Sequence, residues 1–233
     1  MKITEAIILA GGKGTRLRSV TEDRIPKGMV KIKNKPIVEW EINWLAREGV
    51  NKVIISTGHL GEKFEEYFGD HLNTPFGQVK IGYNMEKTKL GSGGAFKESS
   101  LLLESDRCFV LNGDILCNSS LDKLIMNHFK QKAYASMLLV KLPSPFGVVE
   151  VSDNIITKFV EKPLLPVYIH AGLDIIERNI FDKFPDKGQM EETIFIELAE
   201  QRKFAAMKDD NCYWRSIDTQ KDFDLSNENW IGL

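Results

Sequence analysis

Residues 5–17 read EAIILAGGKGTRL, and this stretch decides how the rest of the chain is interpreted. The apolar run Glu5–Ala10 is short and ends at glycines, which is typical of a buried parallel strand. Three glycines follow it, at Gly11, Gly12 and Gly14. They allow backbone N–H groups to turn toward an anion, and Lys13 and Arg16 add positive charge. The stretch therefore predicts a phosphate-binding turn after the first strand.

Two other glycine-rich loops do not match this turn. The dinucleotide-binding fingerprint needs a third glycine where this chain has Leu17. The P-loop closes with Gly-Lys-Ser/Thr, and no such triplet is present here. The turn therefore disfavours both a nicotinamide-dependent dehydrogenase and a P-loop enzyme.

Apolar strands and amphipathic helices alternate along the chain. Strands are predicted at Glu5–Ala10, Lys52–Thr57, Val79–Tyr83, Cys108–Leu111 and Ala135–Val140. Helices are predicted at Pro36–Glu48, Glu62–Phe68, Gly93–Leu103, Leu121–Gln131, 191–201 and 219–229. Residues 146–176 predict short strands interrupted by glycine and prolines. The pattern indicates an α/β, Rossmann-like, mainly parallel doubly wound sheet with a smaller lobe. We expect a single domain over residues 1–233, with parts 1–140 and 141–233.

Composition restricts the class of partner. The 233 residues are 42% hydrophobic and 27% charged, with a formal net charge of −2. Binding to nucleic acid through bulk electrostatics would need a basic surface, so no nucleic-acid partner is expected. No apolar run reaches the length of about 18 residues that spans a bilayer, so no membrane partner is expected either. The cysteines, Cys108, Cys117 and Cys212, lack metal-binding spacing, which favours reduced thiols and a cytoplasmic location.

A series of motifs, in order along the chain, resembles the sugar-1-phosphate nucleotidyltransferases. These motifs are Leu9–Leu17, Ile25–Val30, Asn34–Ile37, Leu90–Ala95, Leu111–Asp114, Phe146–Glu150 and Phe159–Pro163. One motif departs from the family pattern, because the second proline of Pro-Lys-Pro is Gly28 here, although Lys27 is retained. The N-terminal two thirds look most like heptose- or mannose-1-phosphate guanylyltransferases, and the C-terminal stretch looks more like cytidylyltransferases.

The resemblance implies a nucleotide site around the first turn. Its expected residues are Leu9, Ala10, Gly11, Gly12, Lys13, Gly14, Thr15, Arg16, Glu86 and Gly91. Glu86 is the only acid in the segment 86–94. A carboxylate can accept two hydrogen bonds from the adjacent N–H groups of a guanine edge, which favours GTP. The alternative for Glu86 is a solvated surface side chain.

The resemblance also implies three catalytic cations. Arg16, together with Lys13, would stabilise the departing pyrophosphate, Lys27 would hold phosphates, and Lys162 would orient the attacking phosphate. Outside their motifs, both Lys27 and Lys162 would be taken for ordinary surface lysines.

The expected sugar-binding residues fall in the second part of the chain, which makes this part a sugar-binding lobe. They are Gly147, Glu161, Lys162 and Gly172. Glu161 can accept hydrogen bonds from sugar hydroxyls, and the glycines would let the backbone approach the sugar. His170 stands where the family usually has Asn, which leaves the identity of the sugar open.

Two aspartates are expected to hold Mg²⁺. Asp114 follows a predicted strand, where ligands of parallel sheets bind, and Mg²⁺ prefers oxygen ligands and phosphates. Many family members have a second Asp where this chain has Ser216, whereas the Ile-Asp-Thr ending of the cytidylyltransferases matches Asp218. We therefore expect Asp218 as the second ligand. The alternatives are an ordinary turn Asp at 114 and a helix N-cap at Asp218 or Thr219.

Together these features predict a nucleotidyltransferase that converts an NTP and a sugar 1-phosphate to an NDP-sugar and pyrophosphate. GTP with mannose or heptose 1-phosphate is the primary expectation. Cytidylyl, uridylyl or thymidylyl transfer to glucose 1-phosphate or a related sugar is the alternative. A non-catalytic protein that binds a sugar nucleotide is the alternative from another class. The sequence leaves a homo-oligomer open.

Overall fold

The structure, a computed structural model, describes residues 2–233. Strands β1–β14 span, in chain order, Glu5–Leu9, Lys31–Ile32, Lys35–Pro36, Lys52–Thr57, His71–Thr74, Gly77–Met85, Arg107–Asn112, Ile115–Cys117, Ala135–Pro143, Val148–Ser152, Ile155–Val160, Leu164–Glu177, Phe204–Lys208 and Trp214–Ser216. Helices α1–α7 span Arg18–Thr21, Ile37–Arg47, Glu62–Phe68, Gly91–Ser100, Leu121–Gln131, Ile194–Glu200 and Gln220–Asn229. Within residues 2–233, no helix is both long enough and apolar enough to cross a bilayer.

Eight strands form the central sheet, in the order β13-β9-β12-β7-β1-β4-β6-β5. Strands β7, β1, β4 and β6 pair in parallel, and β13 pairs in parallel with β9. The chain winds outward from β1 through β4 to β6, and then crosses to β7 on the other side of β1. The prediction of a mainly parallel, doubly wound α/β sheet is confirmed. In such sheets, ligands bind at the carboxyl ends of the strands where the winding reverses, which here is between β1 and β7.

Both faces of the sheet are covered, which explains why β1 is an unbroken apolar run. Ala6 and Ile8 of β1 pack in a buried cluster with side chains of α2, α3 and α5. Ile7 points to the opposite face and packs with side chains of α4 and α6. Alternate strand residues point to opposite faces, so a strand buried on both sides has to be apolar throughout.

Strand β12 differs from the sequence prediction. Of the short strands expected in residues 146–176, two are present as β10 and β11, but Leu164–Glu177 forms one long strand between β7 and β9, antiparallel to both. Its pairing with β9 is interrupted between Leu164 and Tyr168. Pro166 lies in that interruption, where its missing N–H costs no ladder hydrogen bond. The second part of the chain thus contributes a strand to the middle of the sheet.

Besides the short antiparallel pair β2–β3, two small ribbons lie outside the main sheet. Strands β10 and β11 form an antiparallel hairpin, and each pairs with the other alone. Strands β8 and β14 form a second ribbon, and the N–H of Ile217 donates to the carbonyl of Asp114 at 2.9 Å. This second ribbon carries the C-terminal segment to the carboxyl end of β7.

Candidate active site

A cavity of about 250 Å³ opens where the winding of the sheet reverses, at the carboxyl ends of β1 and β7. Eight of the expected site residues line it, namely Leu9, Ala10, Gly11, Gly12, Lys27, Glu86, Gly91 and Asp114. The cavity therefore brings together segments that are far apart in the sequence.

The turn after β1 is held tightly against neighbouring loops. The N–H of Ala10 donates to the carbonyl of Ser56 at 2.7 Å. A Cβ atom at Gly11 would lie 2.5 Å from Oε1 of Glu86, and one at Gly58 would lie 2.8 Å from the carbonyl oxygen of Gly11. The clash at Gly58 is with backbone, so that position needs glycine, whereas a side chain at Gly11 would displace the Glu86 carboxylate. The turn is a rigid wall of the cavity.

Glu86 lies at this wall rather than on the open surface. Its Oε2 accepts a hydrogen bond from the N–H of Leu90 at 3.0 Å. Within residues 2–233, no donor is bonded to its Oε1. Burial raises the pKa of this carboxyl above its usual value, although the Leu90 N–H works against that rise. Glu86 therefore presents one unpaired carboxyl oxygen beside Gly11 at the cavity.

Four charged side chains form a chain of contacts at the mouth of the cavity. The Lys27 ammonium donates to Oδ2 of Asp114 at 2.6 Å and to Oδ1 of Asp218 at 2.7 Å. Arg16 Nη2 donates to the same Asp218 oxygen at 2.8 Å. The Lys27 side chain is only 13% exposed, whereas that of Arg16 is 73% exposed. Lys27 therefore lies at the largely buried centre of this cluster, and Arg16 lies at its exposed edge.

Asp218 is held as a carboxylate. Burial works against its ionisation, but hydrogen bonds from Lys27 and Ser216 outweigh burial and lower its pKa. The Ser216 hydroxyl donates to Oδ2 of Asp218 at 2.8 Å. The N-cap of α7 is Thr219, which forms a capping box with Asp222. Asp218 is therefore not used as a cap, and Ser216 supports it.

The donor set suits Mg²⁺. Asp114 and Asp218 contact the same ammonium, so their oxygens lie close enough to share one cation. Two carboxylates are a typical protein contribution to Mg²⁺, whose other positions are filled by phosphates and water. Within residues 2–233, no group of three or more metal-binding side chains occurs. Asp114 and Asp218 would hold the ion only together with a phosphate-bearing ligand.

Gly28, the departure from the Pro-Lys-Pro pattern, sits in a confined place. A Cβ atom there would lie 2.9 Å from the carbonyl oxygen of Gly113 and 2.7 Å from a methyl carbon of Val38. Any side chain at this position would push against the turn that carries Asp114. Glycine at position 28 is therefore matched to this particular packing.

Glu41 of α2 is a buried acid that the sequence analysis missed. It is 2% exposed, and its Oε1 accepts a hydrogen bond from the N–H of Ile115 at 3.3 Å. Burial, reinforced by the charge of Asp114, raises the pKa of Glu41 well above its usual value. Through the hydrogen bond from Ile115, Glu41 braces the turn after Asp114.

A second missed feature is the wall formed by residues 185–189. The N–H of Gly93 donates to the carbonyl of Gly188 at 3.0 Å, and Ser92 donates its hydroxyl to Gln189 at 2.9 Å. Gln189 lines the cavity, as do Asn112 and Lys89. Asn112 lies in the motif Leu111–Asp114, and Lys89 directly precedes the motif Leu90–Ala95. No sequence motif links Gln189 to Ser92.

Four expected residues of the first turn lie outside the cavity lining. Lys13, Thr15 and Arg16 are exposed, and Gly14 packs on the Lys27 side chain. Gly14 has φ +60°, a conformation that favours glycine. Of this group, Arg16 reaches the charged cluster through Asp218.

The expected sugar-site residues lie in two places. Gly172 is at the back of the cavity, since a Cβ there would lie 3.1 Å from the Asn112 amide nitrogen. Gly147, Glu161 and Lys162 lie at the base of the β10–β11 hairpin and do not line the cavity. The Lys162 ammonium pairs with the adjacent Glu161. The structure does not bring this group up to the charged cluster.

His170, the other departure from the family pattern, is paired within β12. Its Nε2 lies 3.0 Å from Oδ2 of Asp174, and it does not line the cavity. Burial favours the neutral form of His170, but the charge of Asp174 outweighs burial and raises its pKa.

Known proteins resemble this chain in sequence and in fold. A model of the family described as Nucleotidyl transferase matches residues 5–228. D-glycero-alpha-D-manno-heptose 1-phosphate guanylyltransferase of Campylobacter jejuni subsp. jejuni serotype O:2 (strain ATCC 700819 / NCTC 11168) is 32% identical over 223 residues, covering 94% of this chain and 96% of that protein. The protein of the same name from Aneurinibacillus thermoaerophilus is 33% identical, covering 86% and 87%. The crystal structure of HddC from Yersinia pseudotuberculosis complexed with GMP-PN aligns with a TM-score of 0.72 and 27% identity, covering 97% of this chain and 99% of that one.

Proposed function

Because the chain belongs to the nucleotidyl transferase family, we propose that it transfers a guanylyl group from GTP to a heptose or mannose 1-phosphate. The products are the GDP-sugar and pyrophosphate. The observation that carries this proposal is the chain of contacts from Arg16 through Asp218 and Lys27 to Asp114, at the mouth of a cavity walled by the glycine turn. The two guanylyltransferases named above support the choice of GTP.

The reaction needs positioning and charge more than proton transfer. A phosphate oxygen of the sugar 1-phosphate attacks the α-phosphorus of GTP in line, forming the new P–O bond. The bond from that phosphorus to the β-phosphate oxygen breaks, and pyrophosphate leaves with the electron pair. Because the attacking phosphate is already negative, no general base is required, and catalysis comes from orientation and charge neutralisation.

The charged cluster divides this work among its members. Lys27 is buried and fixed by two carboxylates, so it holds the phosphates of GTP. Arg16 is exposed and has one partner, so it can turn toward the β- and γ-phosphates as negative charge grows on the leaving group. Asp114 and Asp218 would bind Mg²⁺, which neutralises phosphate charge when bound.

Guanine selection is assigned to Glu86. The Glu86 carboxylate, whose Oε1 is unpaired beside Gly11, can accept hydrogen bonds from the N1–H and N2–H groups of guanine with its two oxygens, whereas cytosine offers a single amino donor to a carboxylate. The alternative is cytidylyl transfer, which the Ile-Asp-Thr ending at Asp218 favours. The identity of the preferred NTP decides between these two readings.

The sugar 1-phosphate is assigned to the side of the cavity that faces Gly172 and the base of the β10–β11 hairpin. Glu161 would bind sugar hydroxyls, and Lys162 would orient the attacking phosphate. Because Lys162 does not line the cavity, this assignment requires the base of the hairpin to move toward Asp114 when the sugar phosphate binds. The reaction consumes an NTP and the chain has free thiols, which support a cytoplasmic location.

A matrix of the common NTPs against several sugar 1-phosphates, measured as pyrophosphate release, tests the proposal. We expect release with GTP and heptose or mannose 1-phosphate, and much less with CTP or UTP. Preference for CTP would favour the alternative, cytidylyl transfer. Tight binding of GTP without release of pyrophosphate for any sugar would favour the non-catalytic alternative instead.

A further inference from the structure

The β10–β11 hairpin carries an unusual concentration of exposed apolar side chains. Twenty large hydrophobic residues are exposed in the described chain, and ten of them lie between positions 146 and 167. Every residue of β10 and β11 is exposed. Monomeric proteins rarely expose such a contiguous patch without using it for contact.

One face of the hairpin is apolar and the other is mixed. Val149 pairs with Phe159, Val151 pairs with Ile156, and the register shifts between these pairs, at Glu150/Val151. Because directly paired residues lie on the same side of a ribbon and the shift offsets the uneven spacing of Phe159 and Ile156, these four side chains share one face. Their exposed fractions run from 42% to 62%. We call these four residues the hairpin face. On the opposite side, Glu150 pairs with Lys158, whose ammonium lies 2.9 Å from the carboxylate.

The hairpin is not stabilised by the rest of the described chain. Its two strands pair only with each other, so both outer edges keep unpaired backbone groups. An isolated two-stranded hairpin is marginally stable in water and normally needs a third strand or a packed face. The hairpin therefore leaves an apolar surface and two strand edges open to a contact from outside the chain.

We infer that the hairpin face is the contact between two copies of this chain. A dimer of this kind places the same face of each copy against the other about a two-fold axis. It buries the apolar side chains of both copies at once, and it can pair the free strand edges.

The exposed area fits what a stable dimer requires. A standard interface buries about 800 Å² per partner, of which roughly 60% is apolar. From typical side-chain areas, the four residues of the hairpin face present on the order of 350 Å² of apolar surface. The hairpin and its flanks can thus supply most of the apolar part of an interface.

The charges of the hairpin favour a copy of itself over a strongly charged partner. Between positions 146 and 167 the acids are Glu150, Asp153 and Glu161, and the bases are Lys158 and Lys162. Glu150 and Glu161 are each paired with a lysine inside the hairpin. Two copies therefore meet without strong repulsion, and no field of one sign is present to attract an acidic or basic partner.

The contact is continuous with the proposed sugar site. A Cβ atom at Gly147 would lie 2.4 Å from the ring of Phe159, so the backbone at Gly147 lies directly against a member of the hairpin face. Glu161 and Lys162 follow β11 immediately. A partner that fixes the hairpin also fixes the base that would bind the sugar phosphate. This consequence rests on the proposed function, whereas the dimer itself does not.

Sedimentation velocity over a concentration series tests the contact. The variants are Ile156→Lys and Val151→Lys on the hairpin face, with Met126→Lys on α5 as a control whose exposure, 64%, matches the 62% of Ile156. We expect wild type and Met126→Lys to sediment with twice the chain mass of 26.5 kDa, and both hairpin variants to sediment as monomers. Matching circular dichroism and thermal unfolding show that the monomers are folded.

The same proteins test the link to the sugar site. For folded monomeric variants, we expect KM for the sugar 1-phosphate to rise about tenfold with little change in GTP binding. An unchanged KM would overturn the link to the sugar site. A wild-type protein that dimerises but shows no turnover would support the contact and contradict only the proposed function.

Three results would overturn the contact. The first is a wild-type protein that stays monomeric at every concentration. The second is hairpin variants that dimerise as well as Met126→Lys does. The third is a monomeric wild type that instead cosediments with phosphatidylcholine vesicles, which would assign the hairpin face to a membrane.

Discussion

The nucleotide side and the sugar side of the proposed active site are built in opposite ways. On the nucleotide side, Gly28 and Gly58 lie against backbone carbonyls where no Cβ fits, and Lys27 is 13% exposed. On the sugar side, every residue of β10 and β11 is exposed, and Lys162 pairs only with its neighbour. The first side is preorganised by packing of the main sheet, and the second is attached to that sheet by the two ends of a hairpin.

This difference teaches how the two substrates would be handled. A preorganised wall binds the part of the reaction that all family members share, the phosphates of an NTP. A hairpin that packs weakly can move or change its sequence without disturbing the core. Substitutions on the nucleotide side should therefore reduce kcat, and substitutions on the hairpin should mainly raise KM for the sugar phosphate.

The largest effect is expected for Asp114→Asn. Loss of one carboxylate that faces Lys27 would weaken metal binding and release the lysine. A bound metal contributes several kcal/mol of charge stabilisation, so we expect kcat to fall by about 10³-fold. A titration with Mg²⁺ measures this, with Asp122→Asn on the exposed face of α5 as control. Near-normal turnover at saturating Mg²⁺ would remove Asp114 from the metal site.

Arg16→Ala should have the next largest effect. Its partner is a single exposed contact, so folding should be unaffected, but an oriented charge on the leaving group would be lost. Such losses typically reduce kcat by about 10²–10³-fold. Steady-state kinetics with Arg24→Ala, another exposed arginine, gives the comparison. A change confined to KM for the sugar phosphate would contradict the role given to Arg16.

Glu86→Gln sharpens the comparison within the nucleotide side. The amide cannot accept both hydrogen bonds from a guanine edge, so kcat/KM for GTP should fall by about 10–100-fold while poor substrates such as CTP change little. Competition between NTPs in one reaction gives this ratio directly. Glu98→Gln, an acid on α4 outside the cavity lining, is the control. Equal losses for GTP and CTP would mean that Glu86 supports the loop and does not read the base.

Lys162→Ala should have the smallest effect, and this effect should be confined to the sugar side. Because Lys162 is exposed and paired with Glu161 alone, its loss should raise KM for the sugar 1-phosphate about tenfold and leave GTP affinity unchanged. Calorimetry for GTP and kinetics for the sugar phosphate separate the two effects. Lys130→Ala on α5 is the control. If GTP affinity fell instead, Lys162 would belong to the nucleotide side.

The parts of the fold that follow from local patterns could be predicted from the sequence. β4, α3 and α5 have the predicted bounds, because their apolar periodicity runs to their ends. α4 begins two residues earlier and ends three residues earlier than predicted, at Gly91 and Ser100, since the contacts of Gly93 with Gly188 draw its first turn inward. The length of β12 could not be predicted from the sequence, because it depends on pairing with β7 and β9 on either side. Pro166 does not end the strand, since it lies where the pairing with β9 is interrupted.

The same distinction holds at the site. Lys27 and Asp114 stand in motifs that were quoted from the sequence, and the structure places them 2.6 Å apart. Glu41 and Gln189 carry no local signal, because their roles come from tertiary contacts with Ile115 and Ser92. The hydrogen bond from Ser216 to Asp218 likewise could not be predicted from the sequence, and Asp218 as the second metal ligand stays a prediction.

The most direct test of nucleotidyl transfer is the fate of labelled oxygen. Mannose or heptose 1-phosphate carrying ¹⁸O in its phosphate is incubated with GTP, Mg²⁺ and the protein, and the products are weighed by mass spectrometry. Direct attack on the α-phosphorus predicts a GDP-sugar that retains all of the label and pyrophosphate that has none. Hydrolysis of GTP without a labelled GDP-sugar, or label in the pyrophosphate, would contradict the account.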